Sequence, residues 1–243
     1  ACHIIPGLSA FVGGDITAGI LASGMLEQEA STLLIDLGTN GEMALGNRHR
    51  LHACATAAGP AFEGGANRGI WGADMVRLLQ KLLEEGLMDG QGLLKEPYFT
   101  KGVRIGDVLV TKESVRAVQL AKVAIAAGIE ILADSYGIRF SDISKVVLAG
   151  GFGYYLDPKA AVAIGLLPEE LADCTVTGGN TALSGAAMVG SRILTAGGKQ
   201  TAEGTLPDGG DDLRKRQELQ IRILNLAEEE KFPETFLTKI NFN

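Results

Sequence analysis

The most constraining feature of this 243-residue chain is the stretch 33–46, in which an apolar segment ends in Asp36 and then turns through small, polar residues. Its sequence, LLIDLGTNGEMALG, predicts a buried strand, a tight turn and a second strand. Asn40 and Gly41 favour the left-handed dihedrals of a two-residue hairpin. The pattern therefore predicts an acid at the end of a buried strand, beside a hairpin turn.

The turn has the composition of a phosphate-binding loop. Glycines leave backbone amides open to an anion, and the Thr39 hydroxyl adds a donor. Asp36 is placed to hold Mg²⁺ through water, because a hard dication prefers oxygen ligands and keeps part of its hydration shell. The alternative is an ordinary hairpin in which Asp36 caps the turn. The predicted phosphate contacts are Gly38, Thr39, Asn40 and Gly41.

Two further glycine-rich segments follow in the chain. Residues 145–149 predict a buried strand that runs into a cluster of three predicted cofactor contacts, Gly150, Gly151 and Gly153, where a flat nucleoside could lie against bare backbone. Between the two strands, residues 58–65 form a second small-residue loop that contains Glu63 and Gly64. Glu63 could reach phosphate or Mg²⁺ there, or it could pair with Arg68.

An acidic strand end, a glycine loop, a strand and a glycine cluster, in this order, resemble the nucleotide-binding half of the acetate and sugar kinase, chaperone ATPase and actin (ASKHA) superfamily. The amino-acid sequences of four segments resemble those of one branch of the superfamily, the reductive activators of corrinoid proteins. The segments are FVGGDITAG at 11–19, DLGTNGE at 36–42, AGGFG at 149–153 and GNTALSGA at 179–186. The resemblance extends to roughly Arg192.

The resemblance implies an α/β fold of the ribonuclease H-like type, with a mixed sheet flanked by helices and an inserted subdomain. Residues 1–30 would be the end of a preceding half-domain and a connecting helix. Residues 31–196 would be the nucleotide-binding half, with the insertion at about 86–108. Residues 197–243 would be a linker followed by a charged helix, Leu213 to Lys231, and a tail.

In function, the resemblance implies an iron–sulfur ATPase that returns an inactivated cobalt cofactor to its reduced state, with ATP and Mg²⁺ as cofactors and a corrinoid protein as partner. Such an activator needs a 2Fe–2S cluster held by four cysteine thiolates. This chain has three scattered cysteines, Cys2, Cys54 and Cys174, which suit reduced core thiols better. The cluster is therefore expected only in an upstream domain outside this sequence.

Two predicted helices supply further candidates. Residues Asp15 to Leu26 predict a helix, and in chaperone ATPases an acid at the matching helix start helps to place metal and water; Asp15 is also a good N-cap. A second helix should run from Thr111 to about Tyr136, and the matching helix lines the adenosine pocket in this superfamily. Lys122 and Gln119 could therefore touch the nucleotide, although a lysine at the edge of an apolar face usually extends to water.

The composition argues against two classes of partner, nucleic acids and membranes. A formal charge of −7 argues against binding nucleic acid, because that affinity comes largely from Lys and Arg neutralising phosphates. No apolar run approaches the length of a membrane span, and the first residues lack the pattern of a signal peptide, so we expect no membrane contact and a cytoplasmic location. A homodimer is compatible with the sequence, which does not fix the oligomeric state.

Two alternatives to an ATPase module remain open at this point. The chain could be part of a phosphotransferase, a carbohydrate or acid kinase, because fold does not fix function. It could also be a nucleotide-binding or interaction module without turnover. Whether this chain alone is an active enzyme is not decided by its sequence.

Overall fold

The computed structural model describes residues 2–59, 61, 72–195, 212–216 and 218–243. The predicted contacts Glu63 and Gly64 lie outside the described residues. The strands are β1 Ser31–Leu37, β2 Gly41–Gly46, β3 Arg50–Thr56, β4 Val103–Ile105, β5 Val108–Val110, β6 Ile143–Ala149, β7 Thr175–Gly179 and β8 Gln220–Leu224.

Six of these strands form one mixed sheet in the order β7-β6-β1-β2-β3-β8. Strand β2 pairs antiparallel with both β1 and β3. The pairs β1–β6, β6–β7 and β3–β8 are parallel. The carboxyl ends of β1 and β6 therefore lie side by side at one edge of the sheet. This arrangement confirms the predicted mixed α/β architecture.

Helices pack on both sides of the sheet. They are α1 Gly14–Ser23, α2 Gly72–Glu84, α3 Tyr98–Lys101, α4 Lys112–Tyr136, α5 Gly150–Gly153, α6 Pro158–Ala163, α7 Thr181–Thr195 and α8 Phe232–Thr238. The longest, α4, begins where the sequence predicts: the Thr111 side chain accepts a hydrogen bond from the Ser114 amide, and the two residues form a capping box. None of the described helices is long and apolar enough to cross a membrane.

Alternation along β1 assigns its side chains to two cores. Leu33, Ile35 and Leu37 are buried in the larger core, which includes α4. Leu34 belongs to the smaller core formed with α1 and α7. Because successive side chains of a strand point to opposite faces, Asp36 lies on the same face as Leu34, beneath α1.

Helices α1 and α7 cross at very close range because glycine occupies the crossing point. A Cβ atom at Gly185 of α7 would overlap the Ala18 carbonyl of α1. One at Gly19 would come within 3.0 Å of both Leu34 and the Thr181 hydroxyl. The predicted connecting helix is therefore packed on this domain, and its first turn is held near the end of β1.

The predicted excursion at about 86–108 is a small unit beside the larger core. It consists of an isolated bridge between Met88 and Leu94, the short helix α3 and the hairpin β4–β5, which extends to Val110. Leu94, Val103 and Val110 are buried in the larger core and anchor the unit there.

The predicted helix from Leu213 to Lys231 is wrong. Within this range, Leu213–Lys215 is a short 3₁₀ turn, and Gln220–Leu224 is strand β8, paired in parallel with β3. The segment QIRIL carries β-branched Ile221 and Ile223 on one face, which pack against the smaller core. Strand β3 supplies the backbone hydrogen-bond partners of β8. The spacing of apolar residues along 213–231, from which the helix is predicted, carries no information about this pairing.

Candidate functional site

The end of β1 and the end of β6 meet at the carboxyl edge of the sheet. Asp36 pairs in register with Ala149, so Gly150 follows directly beside the acid. Gly150 has φ +84°, and a Cβ atom there would lie 2.5 Å from the Leu37 carbonyl oxygen and would also meet the Asp36 carboxylate. The structure therefore brings together the acid and the glycine cluster that the sequence predicts as parts of one site.

The hairpin after Asp36 differs from the predicted two-residue turn. Leu37 pairs with Gly41, so the loop consists of residues 38–40, and Gly38 donates its amide to the Asn40 carbonyl at 3.1 Å. Gly41 is the first residue of β2 and has no positive φ. The prediction of left-handed dihedrals at Gly41 is therefore wrong.

Packing explains why Gly41 is a glycine. A Cβ atom there would lie 2.8 Å from the Thr56 hydroxyl and 3.2 Å from a side-chain carbon of Ile125. By contrast, Gly38, Thr39 and Asn40 are exposed at the tip of the hairpin. Of the four predicted phosphate contacts, these three lie on the open surface, while Gly41 is buried.

A third acid, Glu42, lies beside the two that the sequence singles out. Glu42 is the cross-strand partner of Asp36, so both side chains lie on the face covered by α1. Asp15, in the first turn of α1, interacts with both carboxylates. Our sequence reasoning missed Glu42, because the predicted two-residue turn at Asn40 and Gly41 pairs it with Thr39, whereas the observed loop 38–40 pairs it with Asp36.

Burial and mutual repulsion make Asp36 and Glu42 easy to protonate. The pKa of Glu42 is raised to about 7, mainly because burial disfavours the charged carboxylate and then because Asp15 lies nearby; the Gly13 amide opposes this by donating to Glu42. Burial, followed by the charge of Asp15, raises the pKa of Asp36 to about 6. A cation bound beside the pair would favour the charged form of both carboxylates and lower their pKa values.

Asp36 and Glu42 are oxygen donors of the kind that a hydrated magnesium ion uses. Among the described residues, no group of three or more His, Cys, Asp or Glu side chains is arranged to hold a metal ion. Mg²⁺ usually keeps several waters and takes one or two carboxylates from the protein. Asp36, with Glu42 beside it, offers oxygens of this kind at the open edge of the sheet.

The glycine cluster has two packed glycines and one open glycine. Gly150 is tight against β1, and Gly153 is buried, with the Leu148 backbone 3.3 Å from the position of a Cβ atom. A Cβ atom at Gly151 would meet no atom within 4 Å. Gly151 therefore offers open backbone to a ligand, whereas the other two glycines let the chain turn and pack.

The structure places Lys122 and Gln119 against the segment Lys239–Asn243. Lys122 is 1% exposed, so it does not extend to water. Its ammonium donates to the Lys239 carbonyl at 2.7 Å and to the Asn241 carbonyl, and burial lowers its pKa to about 8. Gln119 donates to the Ile240 carbonyl at 2.9 Å. A nucleotide could use these two side chains only if those contacts were given up.

The three cysteines occupy different environments and are free thiols. Cys54 is buried in the larger core, as predicted, and burial raises its pKa to about 12. Cys174 is half-buried. Cys2 is exposed, so its prediction as a core thiol is wrong.

A mixed sheet with an acid ending β1 and a glycine cluster ending β6 is the arrangement of the ASKHA class. The family described as the C-terminal domain of RACo, the ASKHA domain, matches residues 30–68 and 66–196. The chain belongs to this family.

Relatives extend the comparison. The corrinoid activation enzyme RamQ of Eubacterium limosum is 35% identical, over 68% of this chain and 37% of that protein. A Co(II) methylated amine-specific corrinoid protein reductase of Methanosarcina barkeri is 26% identical, over 75% of this chain and 43% of that protein. A solved structure of a reductive activator for corrinoid, iron-sulfur protein superposes with a TM-score of 0.80 at 27% identity, covering 98% of this chain and 44% of that one. The chain thus spans less than half the length of these relatives.

Proposed function

We propose that this chain is the ATP-binding and ATP-hydrolysing module of an iron–sulfur protein that reactivates a corrinoid protein by reduction. The observation that carries the proposal is the placement of Asp36 beside Gly150 at the carboxyl edge of the sheet, in a chain of the RACo C-terminal family. The relatives named for corrinoid activation and reduction support the partner.

The phosphates would lie over the exposed hairpin tip, Gly38 to Asn40, with the nucleoside toward the open backbone of Gly151. Mg²⁺, when bound, would neutralise phosphate charge and hold water in a fixed shell. Asp36 would hold a metal-bound water, and Asp15 would orient the water that attacks the γ-phosphate. The water oxygen would then bond to phosphorus as the bond to the β–γ bridging oxygen breaks; ADP would leave, and the proton of the water would pass to the released phosphate, without a covalent enzyme intermediate.

ATP would act in this protein as a conformational switch. The γ-phosphate can be gripped only while it is attached, so hydrolysis removes contacts that hold the two halves of the full-length protein together. Coupling to a corrinoid protein would make an uphill electron transfer to cobalt possible. The 2Fe–2S cluster that supplies the electron would belong to a part of the longer protein outside this sequence.

The proposal is tested by phosphate release from the full-length protein with Mg²⁺ and ATP. Asp36→Ala should lower the rate by about 100-fold, the range seen when a preorganised electrostatic group is removed. Asp173→Ala is the matched control. Asp173 is exposed just before β7, so it lies at the amino ends of the parallel strands β1, β6 and β7, away from Asp36. Equal rates in the Asp36 variant and the parent protein would refute the assignment.

Two further readouts separate the rival functions. Phosphate release without any small acceptor supports an ATPase, whereas phosphate transfer that requires an added sugar or carboxylic acid would identify a kinase. The absorbance change of a Co(II) corrinoid protein on reduction should require both ATP and an intact Asp36.

A further inference from the structure

Asp15 and Glu42 also line a cleft that extends beyond the hairpin turn. The cleft has a volume of about 860 Å³, and Asp15, Glu42 and Asn40 are among the residues that line it. Small side chains create the space, among them Ala55 on β3 and Ala124 on α4. A volume in this range is typical of clefts that bind small organic molecules.

One wall of the cleft is built by the segment after β8. Leu226, Phe232 and Phe236 line it, and the two phenylalanine rings lie 6.0 Å apart with an angle of 57° between their planes. Phe11 lines the cleft from the N-terminal side and is 73% exposed. Aromatic rings thus enter the cleft from two separate parts of the chain.

This wall is held in place before any ligand arrives. The residues that follow α8 are bound by Lys122 and Gln119 on α4, and Phe242 donates its amide to the Gly90 carbonyl at 2.7 Å. The Phe242 side chain is buried in the larger core. The rings of α8 therefore stand on an anchored segment, and little ordering entropy is lost when a ligand binds.

Charge selects the kind of ligand. Among the described residues that line the cleft, Asp15 and Glu42 are the ionisable ones, and both are acids. A free anion would be repelled, whereas a small hydrated metal ion would leave the apolar part of the cleft unused. A cation with apolar substituents would use both the acids and the apolar lining of the cleft.

Aromatic rings strengthen this selection. The face of a phenylalanine ring carries partial negative charge and attracts ammonium groups, most strongly when the cation is shielded from water. Alkyl substituents on nitrogen would also bury apolar surface against the alanine side chains of the cleft, Ala55 and Ala124 among them.

We propose that this cleft binds an organic ammonium ion bearing alkyl groups, with its charge toward Asp15 and Glu42 and its substituents against Phe232 and Phe236. Binding requires no nucleotide, so it stands or falls separately from ATP hydrolysis.

The test is calorimetric titration of this chain, without nucleotide or Mg²⁺, with choline and with its neutral isostere 3,3-dimethyl-1-butanol. Choline should bind, and the isostere, which has carbon in place of nitrogen, should bind at least about fivefold more weakly because it lacks the cation–π attraction. Phe236→Ala should weaken choline binding by about three- to tenfold through the same loss.

The matched control is Leu237→Ala, because Leu237 follows Phe236 on α8 and is 68% exposed. That variant should bind choline like the parent chain, and thermal unfolding would verify that both variants are folded. Equal affinity for choline and its isostere, no binding of choline, or an unchanged affinity in Phe236→Ala would each overturn the proposal.

Discussion

Gly150 lies directly against Asp36. The residue that follows β6 turns through φ +84° so close to β1 that a side chain there would meet both the Asp36 carboxylate and the Leu37 backbone. Two strands far apart in sequence therefore place their functional ends within atomic contact. Any nucleotide held at this edge would depend on that contact.

Gly150→Ala should lower the free energy of unfolding by about 2 kcal/mol, because alanine at positive φ is strained and its methyl group has no room. Urea denaturation of this chain measures the change. Gly151→Ala is the adjacent control, since a Cβ atom there meets no atom within 4 Å. Similar losses in the two variants would contradict the packing at Gly150.

Stability should depend on pH through Glu42. Its folded pKa of about 7 exceeds the ordinary value of 4.5, so the folded chain holds an extra proton between these values. The contribution of this extra proton to the free energy of unfolding is fully present below about pH 4 and is lost as the pH rises through about 7. Because Glu42 is partly exposed, solvent screens the effect, and we expect about 1 kcal/mol.

Glu42→Gln removes this titration, so its unfolding free energy should fall less between pH 4.5 and 7.5 than that of the parent chain. Asp36, with a pKa of about 6, should leave some dependence in place. Glu234→Gln, at an exposed position of α8, serves as the control and should keep the parent profile. A profile of Glu42→Gln that overlays the parent would show that Glu42 titrates normally.

Local patterns predicted the elements that build the acidic edge. An apolar run ending in Asp36, a glycine cluster after residues 145–149 and a capped helix after Thr111 are all readable from neighbouring residues. Pairing across the sheet is not local. It moved Gly41 out of the turn, placed Glu42 beside Asp36, and converted Gln220–Leu224 from predicted helix to strand.

The crossing of α1 and α7 should tolerate no side chain at Gly185. Gly185→Ala puts a methyl group onto the Ala18 carbonyl, and we expect a loss of about 1–3 kcal/mol, typical of overpacking. Gly190→Ala, one turn later on α7, meets no atom within 4 Å and should stabilise by up to about 1 kcal/mol through helix propensity. Thermal unfolding of both variants measures the difference, and an equal response at the two glycines would contradict the close crossing.

Lys122 should act as the anchor of the segment Lys239–Asn243. Lys122→Met keeps the aliphatic stem but leaves the Lys239 and Asn241 carbonyls without their donor, at a cost of about 1–3 kcal/mol. Hydrogen exchange should accelerate in that segment and in α8, while β1 and β6 stay protected. Lys159→Met, at an exposed position on α6, should leave exchange unchanged. Unaltered exchange in Lys122→Met would mean that the other contacts hold the segment alone.

The contacts of Lys122 also show where sequence reasoning stops. Helical periodicity placed this lysine at the edge of an apolar face, where extension to water is usual. Its burial depends on a segment 117 residues away that supplies main-chain carbonyls, and no pattern within α4 carries that information.

Calorimetric titration of the full-length protein with Mg·ATP measures directly whether the nucleotide binds at the ends of the strands that carry Asp36 and Gly150. The parent protein should bind, and Asp36→Asn should weaken binding by at least about tenfold, because the amide cannot supply the charge that a magnesium-held water requires. Asp173→Asn should bind like the parent. Equal affinity of the Asp36→Asn and parent proteins, or no binding by the parent, would contradict a nucleotide site at this edge.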